Sequence, residues 1–323
     1  MEFLVTLWLG TPIWMWLTFI SIVLTLLVLD LGLLHKGSTE IGVAESLKMS
    51  AMYISLGLAF SLFVWWQLGG AASADYLTAF LVEKTLSMDN VFVIALIFGA
   101  FAVPREYQHR VLFWGILGVI VLRGIMIGAG AALVAQYHWV LYIFAAFLIF
   151  TGIRMLFIGD KDHKIEDSSV LRLLKRMFRV TQKIESNAFF ERRTVGGNVV
   201  TFVTPLFLAL VMIELADLLF AVDSVPAVFA ITTDPFIVYT SNIFAILGLR
   251  ALYFALAAIL HRFAYLKYAL SALLIFIGSK IFVADLLGWE KFPASLSLVF
   301  TLGLLAAGVG VSLWKTRGVK AVP

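Results

Sequence analysis

The sequence predicts an all-α, polytopic membrane protein, and three observations lead to that prediction. Of the 323 residues, 62% are hydrophobic and only 14% are charged, and the mean hydropathy is +1.01. Apolar stretches of about 20 residues, the length that a membrane-spanning helix needs, recur along the chain. Lys and Arg cluster in alternate connections between those stretches. A single soluble core cannot bury so much apolar surface, so most of the chain must lie in lipid.

Nine apolar stretches are long enough to span a membrane as helices. In chain order they are residues 13–34, 49–69, 76–102, 111–135, 139–158, 199–221, 236–260, 266–287 and 292–314. We accordingly divide the chain into the first two helices (1–70), a three-helix unit (71–158), a basic connection (159–198), a second three-helix unit (199–287), and the ninth helix with its tail (288–323).

The basic residues predict how these helices are oriented. If successive connections alternate between two sides, one side receives Lys36, Lys48, Arg105, Arg110, the nine basic residues from Lys161 to Arg193, Arg262, Lys267, Lys315, Arg317 and Lys320. The other side receives only Lys291. Because short basic loops stay in the cytoplasm, the N-terminus is expected outside and the C-terminus inside a cell inner membrane.

The basic connection 159–198 contains a candidate helix of its own. Apolar residues recur there at helical spacing, and Arg and Lys fill the opposite face; the apolar positions are Val170, Leu171, Leu174, Met177 and Phe178. An amphipathic helix lying on anionic lipid would explain this pattern. A solvated connector between the two three-helix units would explain it equally well.

The two three-helix units are related by an internal repeat. Glu-Lys-Thr-Leu-Ser-Met-Asp-Asn-Val at 83–91 aligns with Asp-Leu-Leu-Phe-Ala-Val-Asp-Ser-Val at 217–225. Further along, Leu122-Arg123 aligns with Leu249-Arg250, and residues 148–154 align with 274–280. Because each unit has an odd number of helices, the second enters the membrane from the opposite side. This is the inverted-repeat architecture of many secondary transporters.

Acidic residues inside the apolar stretches are the candidate functional residues. A charge at the bilayer centre costs roughly 2.5–3.5 kcal/mol on insertion scales, so an intramembrane carboxylate suggests a functional site. Such acids stand at Glu83, Asp89, Glu214, Asp217 and Asp223. They could alternatively be buried ion-pair partners of the basic residues in the same stretches, namely Lys84, Arg123, Arg154, Arg250 and Lys280.

Asp89 and Asp223 occupy matching positions of the repeat and are expected to meet near the membrane midplane. Asn90 and Ser224 follow them and would add an amide and a hydroxyl oxygen. These hard oxygen donors suit Mg²⁺, Ca²⁺ or Mn²⁺, and the chain has no cysteine for a thiolate site. A buried carboxylate that loses its metal can take up a proton, so metal and proton movement could be coupled.

Helix geometry limits how many acids can share one site. On a regular helix Glu83 and Asp89 point roughly 120° apart, and Glu214 and Asp223 lie nearly opposite each other. Either the helices break near these acids, or the acids have different roles. Pro226 lies three residues after Asp223 and is a candidate for such a break.

These motifs resemble the signatures of the TerC family, in particular of its Alx-type bacterial members. The similarity lies in residues 83–93, 214–230, 233–236 and 241–250, and it covers nearly the whole chain. The resemblance implies an inner-membrane protein of about nine helices that exports Mn²⁺, in a family first named for tellurium-ion resistance. It also implies that the acids of the two motifs, Glu83, Asp89, Glu214, Asp217 and Asp223, handle the metal.

We therefore expect a Mn²⁺ exporter that works by alternating access between the inverted halves, with the metal as substrate and the lipid bilayer around it. We expect no enzymatic activity, no bound cofactor and no nucleic-acid partner. One alternative is a membrane scaffold in a tellurite or metal stress response. Another is an oxyanion transporter in which Arg123 and Arg250 carry the substrate and the acids only balance their charge.

Overall fold

The computed structural model describes residues 2–32, 43–137, 139–157, 169–181, 184, 186–195, 198–256, 266–289 and 292–316. Helices dominate, and two antiparallel hairpins, β1–β2 and β3–β4, complete the secondary structure of these residues. In chain order the elements are α1 (Glu2–Val5), β1 (Leu7–Trp8), β2 (Thr11–Pro12), α2 (Ile13–Gly32), α3 (Val43–Leu68), α4 (Gly70–Ala100), α5 (Arg105–Gln136), α6 (Val140–Phe157), α7 (Ser169–Met177), β3 (Phe190–Val195), β4 (Asn198–Val203), α8 (Pro205–Ile231), α9 (Pro235–Leu247), α10 (Leu249–Leu256), α11 (Leu266–Leu286) and α12 (Ala294–Lys315).

The protein is an all-α polytopic membrane protein. Within the described residues seven helical segments are both long and apolar enough to cross a membrane: α3, α5, α6, α8, the α9–α10 pair, α11 and α12. Helix α2 is apolar but shorter, over Ile13–Leu29. Helix α4 has 31 residues but carries Asp75, Glu83, Lys84 and Asp89. Counting α2 and α4 as well would give the predicted nine spans, and that number stays a prediction.

Helix α9 is the innermost helix of the bundle. Every residue from Phe236 to Leu247 is buried except Tyr239, and α3, α4 and α5 pack around them. Pro235 suits the first turn because a helix leaves the N–H groups there unbonded. The Asp234 carboxylate caps the same turn by accepting a hydrogen bond from the Phe236 N–H at 2.8 Å. The polar residues Thr240, Ser241 and Asn242 of α9 therefore lie inside the protein.

The predicted seventh span, 236–260, is not one continuous helix. Helix α9 ends before Gly248 and α10 begins after it. Glycine allows a close approach there: a Cβ atom would lie 2.8 Å from the Lys84 ammonium nitrogen and 3.1 Å from the Tyr53 Cβ, so both neighbours would have to shift. The Lys84 ammonium donates a hydrogen bond to the Ala245 carbonyl at 3.0 Å, in the last turn of α9. A charged side chain from α4 therefore caps the break.

The helices that carry the predicted acids are continuous. Helix α4 runs through Glu83 and Asp89, and α8 runs through Pro226 without ending there. The break predicted near Asp223 as one of two alternatives is therefore wrong. The other alternative, that the acids have different roles, stays a prediction.

The basic connection holds helix α7, as its spacing predicted, and also a hairpin that was not predicted. Strands β3 and β4 pair antiparallel with Phe190 opposite Val203 and Val195 opposite Asn198. Residues 199–203 are therefore strand, and the predicted start of the sixth span at Val199 is six residues too early. Their apolar, β-branched side chains raise the hydropathy in a strand as much as in a helix.

Helices α6 and α11 pack closely through positions that the repeat aligns. A Cβ atom at Gly152 would meet the Ser271 carbonyl and Ile275, and one at Gly278 would meet the Ala145 carbonyl and Ile149. Gly152 aligns with Gly278, and the contacted residues Ala145 and Ile149 align with Ser271 and Ile275. Such reciprocal contacts are what a twofold relation between two elements produces. The inverted repeat stays a prediction, which this contact supports.

Candidate functional site

The candidate site lies where α4 and α8 face each other beside α5 and α9. Glu83 and Asn90 are seven residues apart on α4, and Asp217 and Ser224 are seven apart on α8. Seven residues turn a helix by about 700°, so both members of each pair point the same way. All four residues are buried. The repeat and the helix period together bring four of the predicted site residues into one cluster.

Arg123 of α5 lies at the centre of this cluster and is 1% exposed. Its Nε and Nη2 donate to the two carboxylate oxygens of Asp217, at 3.1 and 2.9 Å. Its Nη1 donates to a Glu83 carboxylate oxygen, to the Asn242 side-chain oxygen at 3.0 Å and to the Ser224 hydroxyl at 3.3 Å. One guanidinium therefore bridges the two acids that the repeat aligns, and Glu83 and Asp217 do form the ion pairs with Arg123 that the sequence offered as an alternative role for them.

Several polar atoms of this cluster have no hydrogen-bond partner among the described residues. Asn90 donates from Nδ2 to Asp217 at 2.9 Å, while its side-chain oxygen is unpaired. The second carboxylate oxygen of Glu83 and the side-chain nitrogen of Asn242 are also buried and unpaired. Burying a polar atom without a partner costs roughly 1–3 kcal/mol. The presence of three such atoms in one cluster therefore suggests that they bind a ligand or have another role in function.

Glu214 stands apart from this cluster, at the crossing of α5 and α8. Its carboxylate occupies the space beside Gly118 that a Cβ atom would fill, and its Oε2 is buried with no hydrogen-bond partner among the described residues. Gly118 therefore makes room for an acid between two spanning helices. Glu214 stands out in the sequence as an acid in an apolar stretch, whereas no sequence pattern indicates the role of Gly118.

A small cavity of about 30 Å³ adjoins the cluster. Asn90 and Asp217 line one end, and Gly115, Ile116 and Ile213 are among the apolar residues that line the rest. This volume exceeds the roughly 10–15 Å³ that one water molecule needs. The cavity follows the first halves of α5 and α8, so it extends from the cluster towards the side on which both helices begin.

The sequence assigned no role to Asn242, which contacts Arg123 from α9. In the sequence this residue belongs to a polar Thr-Ser-Asn run inside an apolar stretch and to the motif at 241–250. The side chains of Asp89, Asp223 and Arg250 lie outside the part of the chain that the structure describes, so their predicted pairings stay predictions. Among the described side chains, no group of three or more His, Asp or Glu forms a metal site.

Comparison with known proteins identifies the family. The sequence model of the TerC integral membrane protein family matches residues 68–320. The chain belongs to the TerC family. The resemblance predicted from the motifs is thereby confirmed, and it includes both three-helix units.

Relatives at similar distances come from several bacteria. The chain is 45% identical over 308 residues to an uncharacterized membrane protein of Myxococcus xanthus, covering 95% of this chain and 94% of that protein. It is 45% identical over 298 residues to one of Rickettsia bellii, covering 92% and 96%. It is 43% identical over 314 residues to Alx of Escherichia coli K12, covering 94% and 95%; that protein is named for a proposed role as a membrane-bound redox modulator. No solved structure matches the chain.

Proposed function

We propose that this protein exports a divalent cation, with Mn²⁺ as the first candidate, across the inner membrane. The observation that carries the proposal is the pair of acids Glu83 and Asp217, which come from aligned positions of two spanning helices and share one buried cluster. A charged cluster of this kind inside a membrane protein is expensive to bury and usually lies on an ion pathway.

The chemistry of the unpaired atoms favours a hard cation. The free Glu83 carboxylate oxygen and the free Asn90 amide oxygen are ligands of the kind that Mg²⁺, Ca²⁺ and Mn²⁺ prefer. Asp89 immediately precedes Asn90, and Asp223 immediately precedes Ser224. Either aspartate could therefore add a carboxylate when the cation binds. Mn²⁺ is chosen among these cations because of the resemblance to the TerC family.

Arg123 acts in this proposal as a counter-charge that stays in the site. Two carboxylates and one guanidinium give this cluster a net charge of −1. A divalent cation and the guanidinium compete for the same carboxylate oxygens, so cation binding weakens the Arg123 pairs and cation release restores them. An acid that takes up a proton when the cation leaves would need the Arg123 guanidinium less, and cation transport would then be coupled to proton movement.

The proposed entry route starts in the cytoplasm. The N-terminal halves of α5 and α8 follow the basic connections, which belong to the cytoplasmic side by the positive-inside rule. The cavity beside Asn90 and Asp217 extends along those halves, and Glu214 lies between the same two helices. A cation entering there meets Glu214 and then Asp217 on the way to Glu83.

The oxyanion alternative is disfavoured by the contacts of Arg123. An anion site needs guanidinium N–H groups that are not already committed, whereas Nε, Nη1 and Nη2 of Arg123 all donate to protein oxygens.

The name of the Alx relative suggests a redox role. A thiol–disulfide version of that role cannot operate here, because these 323 residues contain no cysteine.

The test is Mn²⁺ flux into liposomes that contain the purified protein and a Mn²⁺-sensitive dye. We expect wild type to admit Mn²⁺ well above protein-free liposomes, and Glu83→Gln, Asp217→Asn, Asp89→Asn and Asp223→Asn to fall to background. Asp234→Asn is the matched control, because Asn caps a helix as well as Asp does and this residue lies outside the cluster. Wild-type protein that is folded but gives no flux would favour the scaffold alternative.

A further inference from the structure

Helix α7 and the β3–β4 hairpin form a unit that is firmly attached to the start of α8. The Thr181 N–H donates to the Val203 carbonyl at 2.9 Å, and the Thr204 hydroxyl donates to the Ala188 carbonyl at 2.8 Å. Around Phe207, in the first turn of α8, pack three aromatic rings: Phe178, Phe189 and Phe190, at 6.3, 6.4 and 4.9 Å between ring centres. These contacts hold the unit against the first turn of α8.

One face of α7 is covered by protein. Leu171 is 4% exposed and packs with Val203 at the end of β4 and Leu208 in α8, and Leu174 packs against the same cluster. Phe101, just after the end of α4, also belongs to it. This face therefore lies against the ends of two long helices, α4 and α8, and not over open water.

The apolar surface of α7 extends beyond the part that α8 covers, to Leu173 and Met177, which are exposed. Leu173 and Met177 point roughly 160° and 120° away from Leu171 on a regular helix, and they are 56% and 66% exposed. Arg176, on the same helix, and Arg179, just beyond it, are exposed as well. An interfacial helix has this combination, because its apolar side chains enter the acyl region while its arginines reach the phosphates.

We propose that α7 lies in the membrane surface, with Leu173 and Met177 among the acyl chains and Arg176 and Arg179 bound to anionic lipid phosphates. Charge complementarity favours this occupant, since guanidinium groups bind phosphate oxygens in a bidentate way and are weakly hydrated. The position of α7 beside the ends of α4 and α8 puts it at headgroup depth. This interaction is independent of the transported substrate.

The absence of cysteine from the sequence allows a direct test. A single Met177→Cys protein, placed in lipid nanodiscs and carrying a polarity-sensitive dye on that cysteine, is exposed to spin-labelled phosphatidylcholine or phosphatidylglycerol. We expect both lipids to quench the dye and spin-labelled phosphatidylglycerol to quench it more strongly at equal mole fraction. Replacing one of the two arginines should lower the preference for phosphatidylglycerol over phosphatidylcholine by about fivefold. The double replacement Arg176→Gln/Arg179→Gln should nearly abolish it.

Leu171→Cys provides the matched control in the same helix, because its buried position should react slowly with the dye. The proposal is overturned if the label at position 177 is quenched by aqueous iodide and by neither lipid. Equal quenching by the two lipids would refute the binding of anionic lipid. Shielding of the label only after a protein fraction is added would identify a protein surface instead, and would equally overturn the proposal.

Discussion

Two regions in which aligned helices meet differ in how closely they follow the repeat. At the α6–α11 contact, Gly152 and Gly278 make reciprocal contacts with small and apolar residues. At the α4–α8 centre, by contrast, the single residue Arg123 forms ion pairs with both aligned acids, Glu83 and Asp217. The difference shows that the apolar α6–α11 contact keeps the symmetry of the repeat, whereas the charged centre departs from it.

The helix crossings beside the centre depart further from symmetry. Gly118 of α5 aligns with Ala245 of α9 at the repeat offset of 127 residues. Beside Gly118 lies the Glu214 carboxylate from α8, whereas the Ala245 carbonyl accepts a hydrogen bond from the Lys84 ammonium of α4. Corresponding crossings therefore carry opposite charges, and the acidic crossing lies between α5 and α8, which both contribute to the lining of the cavity.

The largest expected effect concerns the asymmetric centre. Arg123→Met should destabilise the protein by about 3–5 kcal/mol, because it leaves two buried carboxylates without a counter-charge. Thermal unfolding in detergent measures this. Adding Glu83→Gln and Asp217→Asn to Arg123→Met should restore much of the lost stability but no Mn²⁺ flux.

The control for Arg123 is a surface ion pair. Arg193 binds Glu191 at 2.8 Å with its side chain 42% exposed, so Arg193→Gln should cost less than about 1 kcal/mol. If Arg123→Met is as mild as Arg193→Gln, the buried acids do not depend on the guanidinium, and the arrangement of this centre has been misinterpreted.

The sequence predicted the acids of this centre but not the residue that joins them. Glu83 and Asp217 were visible because charges stand out in apolar stretches and because the repeat aligns them. Arg123 was expected to pair with acids, but which acids a long side chain reaches depends on how three helices pack. Asn242 was not singled out, although it lies in the motif at 241–250, because the search for site residues followed charges inside the apolar stretches.

Helix ends and breaks were predicted less well than the helices themselves. Strand β4 and the first turn of α8 have similar hydropathy, so composition could not separate them at Pro205. The break at Gly248 depends on the approach of Lys84 from α4, which is a tertiary contact. Neither feature has a local sequence pattern strong enough to predict it.

An intermediate effect is expected at the symmetric contact. Gly152→Ala and Gly278→Ala should each cost about 2–3 kcal/mol, because the added methyl group meets a backbone carbonyl that cannot rotate away. The two losses should be equal within error, since the contacts are reciprocal. Gly303→Ala on α12 is the control, because open space surrounds Gly303. Unequal losses at Gly152 and Gly278 would argue against a twofold relation between α6 and α11.

The smallest expected effect distinguishes the two crossings. Gly118→Ala should cost about 1 kcal/mol, because the group it displaces is the flexible end of Glu214 and can move. Combining it with Glu214→Ala should remove most of that cost, which a double-mutant cycle on thermal stability would detect as coupling of at least about 0.5 kcal/mol. Gly128→Ala, on the same helix but in open space, should be additive with Glu214→Ala.

The corresponding cycle at the other crossing pairs Gly248→Ala with Lys84→Ala. Here the coupling should be incomplete, because Tyr53 also lies 3.1 Å from the added methyl group and remains when Lys84 is shortened. Strong coupling at Gly118 with partial coupling at Gly248 would mean that the acid alone fills the first crossing, while the lysine shares the second with α3. Additive behaviour at Gly118 would mean that Glu214 does not occupy the space beside it, and the proposed first contact for an entering cation would be lost.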